Sequence, residues 1–89
     1  MFRLMKLDKI QDQAIQARMA LIVGADTFDR LFSGIRFDEL DGCLLYVFAR
    51  DEECAAQIED EFSLHISIIA SQILKQEVEV VLELPKVLQ

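Results

Sequence analysis

Residues Thr27–Phe62 read TFDRLFSGIRFDELDGCLLYVFARDEECAAQIEDEF, and the order of patterns within them decides the fold. Phe28, Leu31 and Phe32 recur at helical spacing, which predicts a short helix capped by Asp26 or Thr27 and ended by Gly34. Ile35-Arg36-Phe37-Asp38 alternates apolar and polar, as a half-buried strand does. Asp41-Gly42 is a hairpin signal, because glycine takes positive φ without a steric penalty. The return strand, Cys43 to Ala49, is apolar on both sides. Alternation places Cys43, Leu45, Val47 and Ala49 on one face and Leu44, Tyr46 and Phe48 on the other. One set is expected under the helices, while the other needs a cover. With no Pro or Gly between, Asp51, Glu52 and Glu53 open a long helix, where carboxylates suit the positive end of the helix dipole.

That helix carries an apolar stripe of Ala55, Ile58, Phe62, Ile66, Ile69 and Ile73, with Leu64 and Ile68 flanking, and is expected to run to about Leu74. Glu77–Leu84 alternates cleanly, which predicts a strand with Val78, Val80, Leu82 and Leu84 inward and Glu77, Glu79 and Glu83 outward. Pro85 stops it. On the N-terminal side, Leu7, Ile10, Ala14, Ala17 and Leu21 share helical spacing, and Ile15, Met19 and Ile22 widen the stripe. Gly24 marks the end of this first helix. The expected class is α+β: a two-layer α-α-β-β-α-β domain with a three-stranded sheet and helices on one face, an order of KH-like type. Residues 1–89 make one domain, with about 1–6 and 85–89 expected as loose tails.

A chain of 89 residues buries only around 60% of its unfolded surface, so a hydrophobic content of 53% exceeds what a minimal core needs. Part of that surplus is expected to meet a partner. The net charge of −7 repels phosphates, which makes nucleic acid an unlikely ligand. Between Phe37 and Glu61 nine carboxylates stand against one base, Arg50. Asp51, Glu52 and Glu53 are therefore a candidate acidic docking face for a basic partner, set against the plainer reading of a solvated acidic surface. Neither a secretory leader nor a membrane span is expected, since no apolar run is long enough. Cys43 and Cys54 form no CxxC pair and read as small buried hydrophobes in a reducing cytoplasm. His65 is the only histidine and sits mid-helix. No catalytic, cofactor or metal residues emerge, and the chain is not expected to be an enzyme. Ser63, Ser67 and Ser71 repeat on one helix flank, by default an ordinary polar flank and alternatively one that lets another helix approach closely.

With those elements in order, the chain resembles the N-terminal domain of the bacterial replication initiator DnaA, over nearly its whole length. The family's Thr-Phe-x-x-Trp-Leu-x-Pro-Leu appears as Thr27-Phe28-Asp29-Arg30-Leu31-Phe32-Ser33-Gly34-Ile35. Its alternating strand appears as Leu45-Tyr46-Val47-Phe48-Ala49, and its long helix as Ile58-Glu59-Asp60-Glu61-Phe62. The departures are specific. Leu31 stands at the tryptophan, Gly34 at the proline, and Ala49-Arg50-Asp51 replaces Ala-Pro-Asn. Glu53 falls where the family often has an aromatic for the replicative helicase. The resemblance implies a protein-interaction hub that self-associates through its first helix and recruits replication-initiation or regulatory proteins.

Ile10, Ala14, Ala17 and Leu21 on the first helix, with Leu44, Tyr46 and Phe48 on the open sheet face, are the candidate partner or homodimer surface. The competing expectation is a small acidic adaptor or secretion-chaperone-like protein that uses the same apolar surplus on an unrelated client.

Overall fold

In the computed structural model, which describes residues 4–84, the chain opens with strand β1 (Leu4–Lys6) and continues into helix α1 (Lys9–Val23). A single helical turn, α2 (Ala25–Thr27), widens into a π-helical turn (Phe28–Phe32). The hairpin β2 (Arg36–Asp41) and β3 (Leu44–Phe48), the long helix α3 (Glu52–Leu74) and strand β4 (Glu79–Glu83) follow. The four strands make one sheet in the order β1-β2-β3-β4. Its first two junctions are antiparallel and its last is parallel. The class is α+β as expected, but the sheet has four strands where three were read.

The extra strand corrects the expectation of a loose tail over residues 1–6. Leu4, Met5 and Lys6 pair with Asp41, Leu40 and Glu39. The Leu7 N–H then donates to the Asp38 carbonyl at 2.8 Å, and the Leu7 side chain is buried. Main-chain pairing and one anchoring leucine hold this strand, and neither leaves a periodic signal in three residues. The tails expected at 1–3 and 85–89 lie outside the described residues.

Helix α1 starts with a reciprocal cap: Asp8 accepts from the Gln11 N–H at 2.8 Å, and the Asp8 N–H donates to the Gln11 side chain at 3.0 Å. Its rotation about its axis is fixed from the other side. Asp12 accepts from the Phe37 N–H at 2.9 Å, a donor beyond the reach of β1, while Gln16 Nε2 donates to Asp12 and to the Ile35 carbonyl. With those polar groups turned toward β2, Ile15 and Met19 become the buried face. The stripe read as Leu7, Ile10, Ala14, Ala17 and Leu21 is therefore split. Leu7 lies in the core ahead of the helix, whereas Ile10 and Leu21 are 79% and 84% exposed.

Gly24, at φ 88°, ends α1 and immediately precedes α2. Neither Asp26 nor Thr27 caps this segment, because Thr27 is already helical and no side-chain cap bond forms. The turn nonetheless delivers the expected residues. Leu31 and Phe32 are buried, Phe28 stacks on Phe32 with centroids 5.5 Å apart, and Phe62 of α3 meets Phe32 at 5.6 Å.

Strand β2 is longer than its alternating tetrapeptide, because a bulge lies between Phe37 and Glu39. An unbroken period of two would point Leu40 outward. The extra residue, Asp38, resets the phase, so Phe37 and Leu40 both enter the core while Glu39 stays outside with its partner Tyr46. The bulged carboxylate lies 3.5 Å from Arg36 and 3.8 Å from Lys6. Gly42, at φ 63°, supplies the positive φ that a two-residue hairpin loop requires. Cys43, expected to be buried, is exposed in that loop.

The core lies between the sheet and the helices. Leu45, Val47 and Ala49 meet Ile58, Ile66, Ile69 and Ala70 of α3, with Ile15 and Met19 beside them. Residues 52–74 stay helical as the apolar period predicts, and Lys75 closes the helix in the left-handed region at φ 59°. Val78, just before β4, is buried, and Val80 and Leu82 within it are half-buried. Leu84, expected inward, is 42% exposed because it lies past the last residue paired with β3.

Candidate interaction surfaces

On α1 the buried side is set by Ile15 and Met19, so residues placed about half a turn away look into solvent. Ile10, Ala14, Ala17 and Leu21 occupy that outward strip. Ile10, Ala17 and Leu21 are exposed and Ala14 is half-buried. Two alanines between two long aliphatic side chains make a strip with a low centre, a shape into which a second helix can settle. Arg18 borders it and donates to the Gln72 side chain of α3 at 2.9 Å, which fixes α1 beside α3.

The β3 residues Leu44, Tyr46 and Phe48 alternate with buried Leu45 and Val47, so they occupy the sheet face turned away from the helices. All three are half-buried. Neighbouring strands provide the cover: Tyr46 lies between Glu39 and Val81, and the Arg36 guanidinium sits 5.2 Å over the Phe48 ring. The two apolar sets named from the sequence are thus on opposite sides of a two-layer domain. They cannot form one continuous surface. The α1 strip is the more exposed of the two.

The acidic trio separates by role. Asp51 is the N-cap of α3 and accepts from the Cys54 N–H at 2.8 Å. This bond, helped by Arg50, holds the Asp51 carboxyl below its ordinary pKa. Glu52 and Glu53 are exposed in the first turn, and neither is in an ion pair among the described residues. Arg50 joins the cluster together: its guanidinium donates to Asp51, to the Arg30 carbonyl at 3.0 Å and to the Cys54 sulfur at 3.0 Å. Burial pushes the Cys54 thiol up, so it stays protonated at neutral pH. A cleft of about 190 Å³ opens here between Arg30, Arg50, Glu53 and Gln57. It is smaller than the usual 300–1,000 Å³ of a small-molecule site. Its central guanidinium already has three partners, so the cluster is best described as a clasp between the π-helical turn and α3.

A pH effect follows from that clasp. The Asp51 pKa is lower folded than unfolded, so its contribution is complete above the ordinary carboxylate range and fades as the pH falls through its depressed folded value. Asp51→Asn keeps a good cap and is expected to melt like the parent at pH 7 with a flatter loss of stability toward acid. Asp51→Ala is expected to melt lower at both. Thermal melts followed by circular dichroism between pH 2 and 7 read the difference, and parallel acid limbs in parent and Asn variant would reject this role.

Sequence reading did not separate Asp51 from Glu52 and Glu53, although an Asp just before a Glu-rich first turn is a recognisable capping signal. It also did not find Asp12, whose partner is a main-chain group contributed 25 residues away. Among the described residues, no group of three or more His, Cys, Asp or Glu side chains could hold a metal ion, and no helix is long and apolar enough to cross a membrane. A scan against protein-family models and a search of curated proteins return no match to this chain.

Proposed function

We propose that the chain is a non-enzymatic protein-interaction domain, akin to the N-terminal domain of DnaA, that self-associates and recruits replication-initiation or regulatory proteins in the cytoplasm. The observation that carries the reading is the outward strip of α1, with Ile10 79% and Leu21 84% exposed on either side of Ala14 and Ala17. The element order from α1 onward, α-α-β-β-α-β, supports kinship with KH-like domains, to which β1 adds an edge strand. The replication role rests on the residue pattern between Thr27 and Phe62. A net charge of −7 argues for protein partners over nucleic acid.

Magnitudes favour a weak dimer. A two-fold contact counts each side chain twice, and each large aliphatic residue gives about 1.5–3 kcal/mol on full burial. Two such residues per copy supply about 6–12 kcal/mol in all, so against the low end of the 4–15 kcal/mol that association costs the dissociation constant reaches the micromolar range and no tighter. Sedimentation of the parent from ten to several hundred micromolar is expected to show association, and Leu21→Asp is expected to abolish it with the fold intact. A strict monomer across that range overturns the proposal.

The adaptor or secretion-chaperone reading draws on the other patch, Leu44, Tyr46 and Phe48, on the opposite side of the domain. Affinity capture with Leu21→Asp and Tyr46→Asp variants distinguishes them. Loss of replication proteins at Leu21→Asp supports the first reading, and loss of a single unrelated client at Tyr46→Asp supports the second.

A further inference from the structure

The geometry points to the free edge of β4 as a docking site for an extended, basic segment of a partner protein, which adds to the sheet as a fifth strand. This rests on the reading of the chain as a partner-binding module and names a second binding surface for it. Among the described residues β4 is the outermost strand, paired on one side only, with β3. The Glu79 N–H donates to the Cys43 carbonyl at 2.7 Å, and the Ala49 N–H donates to the Glu83 carbonyl at 3.0 Å. Main-chain groups alternate in direction along a strand, so the N–H and C=O of Val80 and Leu82 point away from β3, into the open edge. At the N-terminal end, Ser67 Oγ of α3 donates to the Val78 carbonyl, which marks where an added strand would begin.

The space beside this edge suits a strand. Ser67 turns toward β4, and Ser63 and Ser71 share its flank of α3 at a spacing of four. Leu64, 69% exposed and three residues before Ser67, shares this flank and offers an apolar contact to inward-pointing residues of an added strand. Val80 and Leu82 are only half-buried and Leu84 is exposed, so apolar residues of the newcomer would complete a core that the chain leaves unfinished. On the open face, Glu79 and Glu83 flank Val81.

Charge selects the occupant. A second copy paired antiparallel along the whole of β4, centred on Val81, would set Glu79 directly across from Glu83 at both ends, and like charges in that position destabilise a sheet. A segment with lysine or arginine in those positions and small apolar residues between meets carboxylates instead. The acidic chain also attracts such a segment from a distance. Strand addition of this kind takes affinity from the main chain and specificity from alternate side chains.

The probe is a blocked eight-residue peptide alternating lysine and valine, added to the ¹⁵N-labelled full chain. The expected result is a shift and slowed hydrogen exchange at the Val80 and Leu82 amides. The same peptide N-methylated at every residue, which blocks pairing in either strand direction, should not bind, and a glutamate–valine version should bind at least about tenfold more weakly. The double variant Glu79→Lys with Glu83→Lys alters only exposed side chains and should reverse that preference. Equal binding of the N-methylated peptide overturns the proposal, as do amide shifts confined to Glu52 and Glu53. Val80 protection that is present without peptide, or that rises with protein concentration, shows the edge occupied by the chain itself and also overturns it. Leu21→Asp should leave peptide binding unchanged. Failure here with self-association intact removes this inference alone, and the reverse result removes only the α1 dimer.

Discussion

Met19→Asp will abolish cooperative folding, while Leu21→Asp, two residues along the same helix, will melt like the parent. Met19 is fully buried against the sheet and α3, with no polar group described there to receive a carboxylate. A buried charge without a partner costs about 3–5 kcal/mol, and the lost methionine burial adds about 1.5–3 kcal/mol. A domain of this length holds only about 4–13 kcal/mol in total, on the usual 0.05–0.15 kcal/mol per residue. Leu21, at 84% exposure, gives up almost no burial on the same change. Circular dichroism melts of the two variants at low concentration provide the comparison. Similar melting of both would mean that α1 is rotated about its axis from the orientation described.

The second large effect is expected at Phe32. Its ring is fully buried and is the hub of an aromatic trio, stacked on Phe28 at 5.5 Å and tilted against Phe62 at 5.6 Å. Phe32→Ala removes the largest buried side chain of the π-helical turn and leaves a cavity at its junction with α3. Such truncations cost about 3–5 kcal/mol. At roughly 4–8 °C per kcal/mol for a domain of this size, the melting temperature should fall by about 12–40 °C. Phe28→Ala should cost less than half as much, because Phe28 is only half-buried. If Phe28→Ala proves the more damaging, the turn is not organised around Phe32.

What the sequence made legible follows from how local each signal is. The hairpin turn at Gly42, the boundaries of α3 and the β4 alternation are written in neighbouring residues; the first two appear where they were expected, while β4 keeps its alternation but spans only Glu79–Glu83 of the Glu77–Leu84 expected. The sidedness of β3 was equally readable, since Leu45 and Val47 are buried while Leu44, Tyr46 and Phe48 are not. Three features were set by distant contacts. The rotation of α1 depends on Asp12 and Gln16 binding main-chain groups of residues 35 and 37. Hydropathy alone could not choose between the Ile15–Met19 side and the Ile10–Leu21 side. The phase change in β2 comes from a bulge that no two-residue period can announce. Strand β1 owes its place to pairing with residues more than thirty positions away. The candidate surface was legible as a set of apolar residues, but its division between two opposite faces was not.

The order of the sheet also orders its assembly in time. Its central junction, β2 with β3, closes through two residues, so it can zip up locally. The β3–β4 junction waits for the 23-residue α3 to form and cross, and the β1–β2 junction spans α1 and the π-helical turn. Non-local pairings of this kind carry the loop-closure entropy and are the slow steps of folding. Both rims of the sheet are therefore its late-forming parts, and they are the first to open when stability falls. When β4 lifts away it bares the edge of β3, whose five residues are all apolar or aromatic. The glutamates spaced along β4 then act as gatekeepers, keeping a half-open molecule from joining its neighbours.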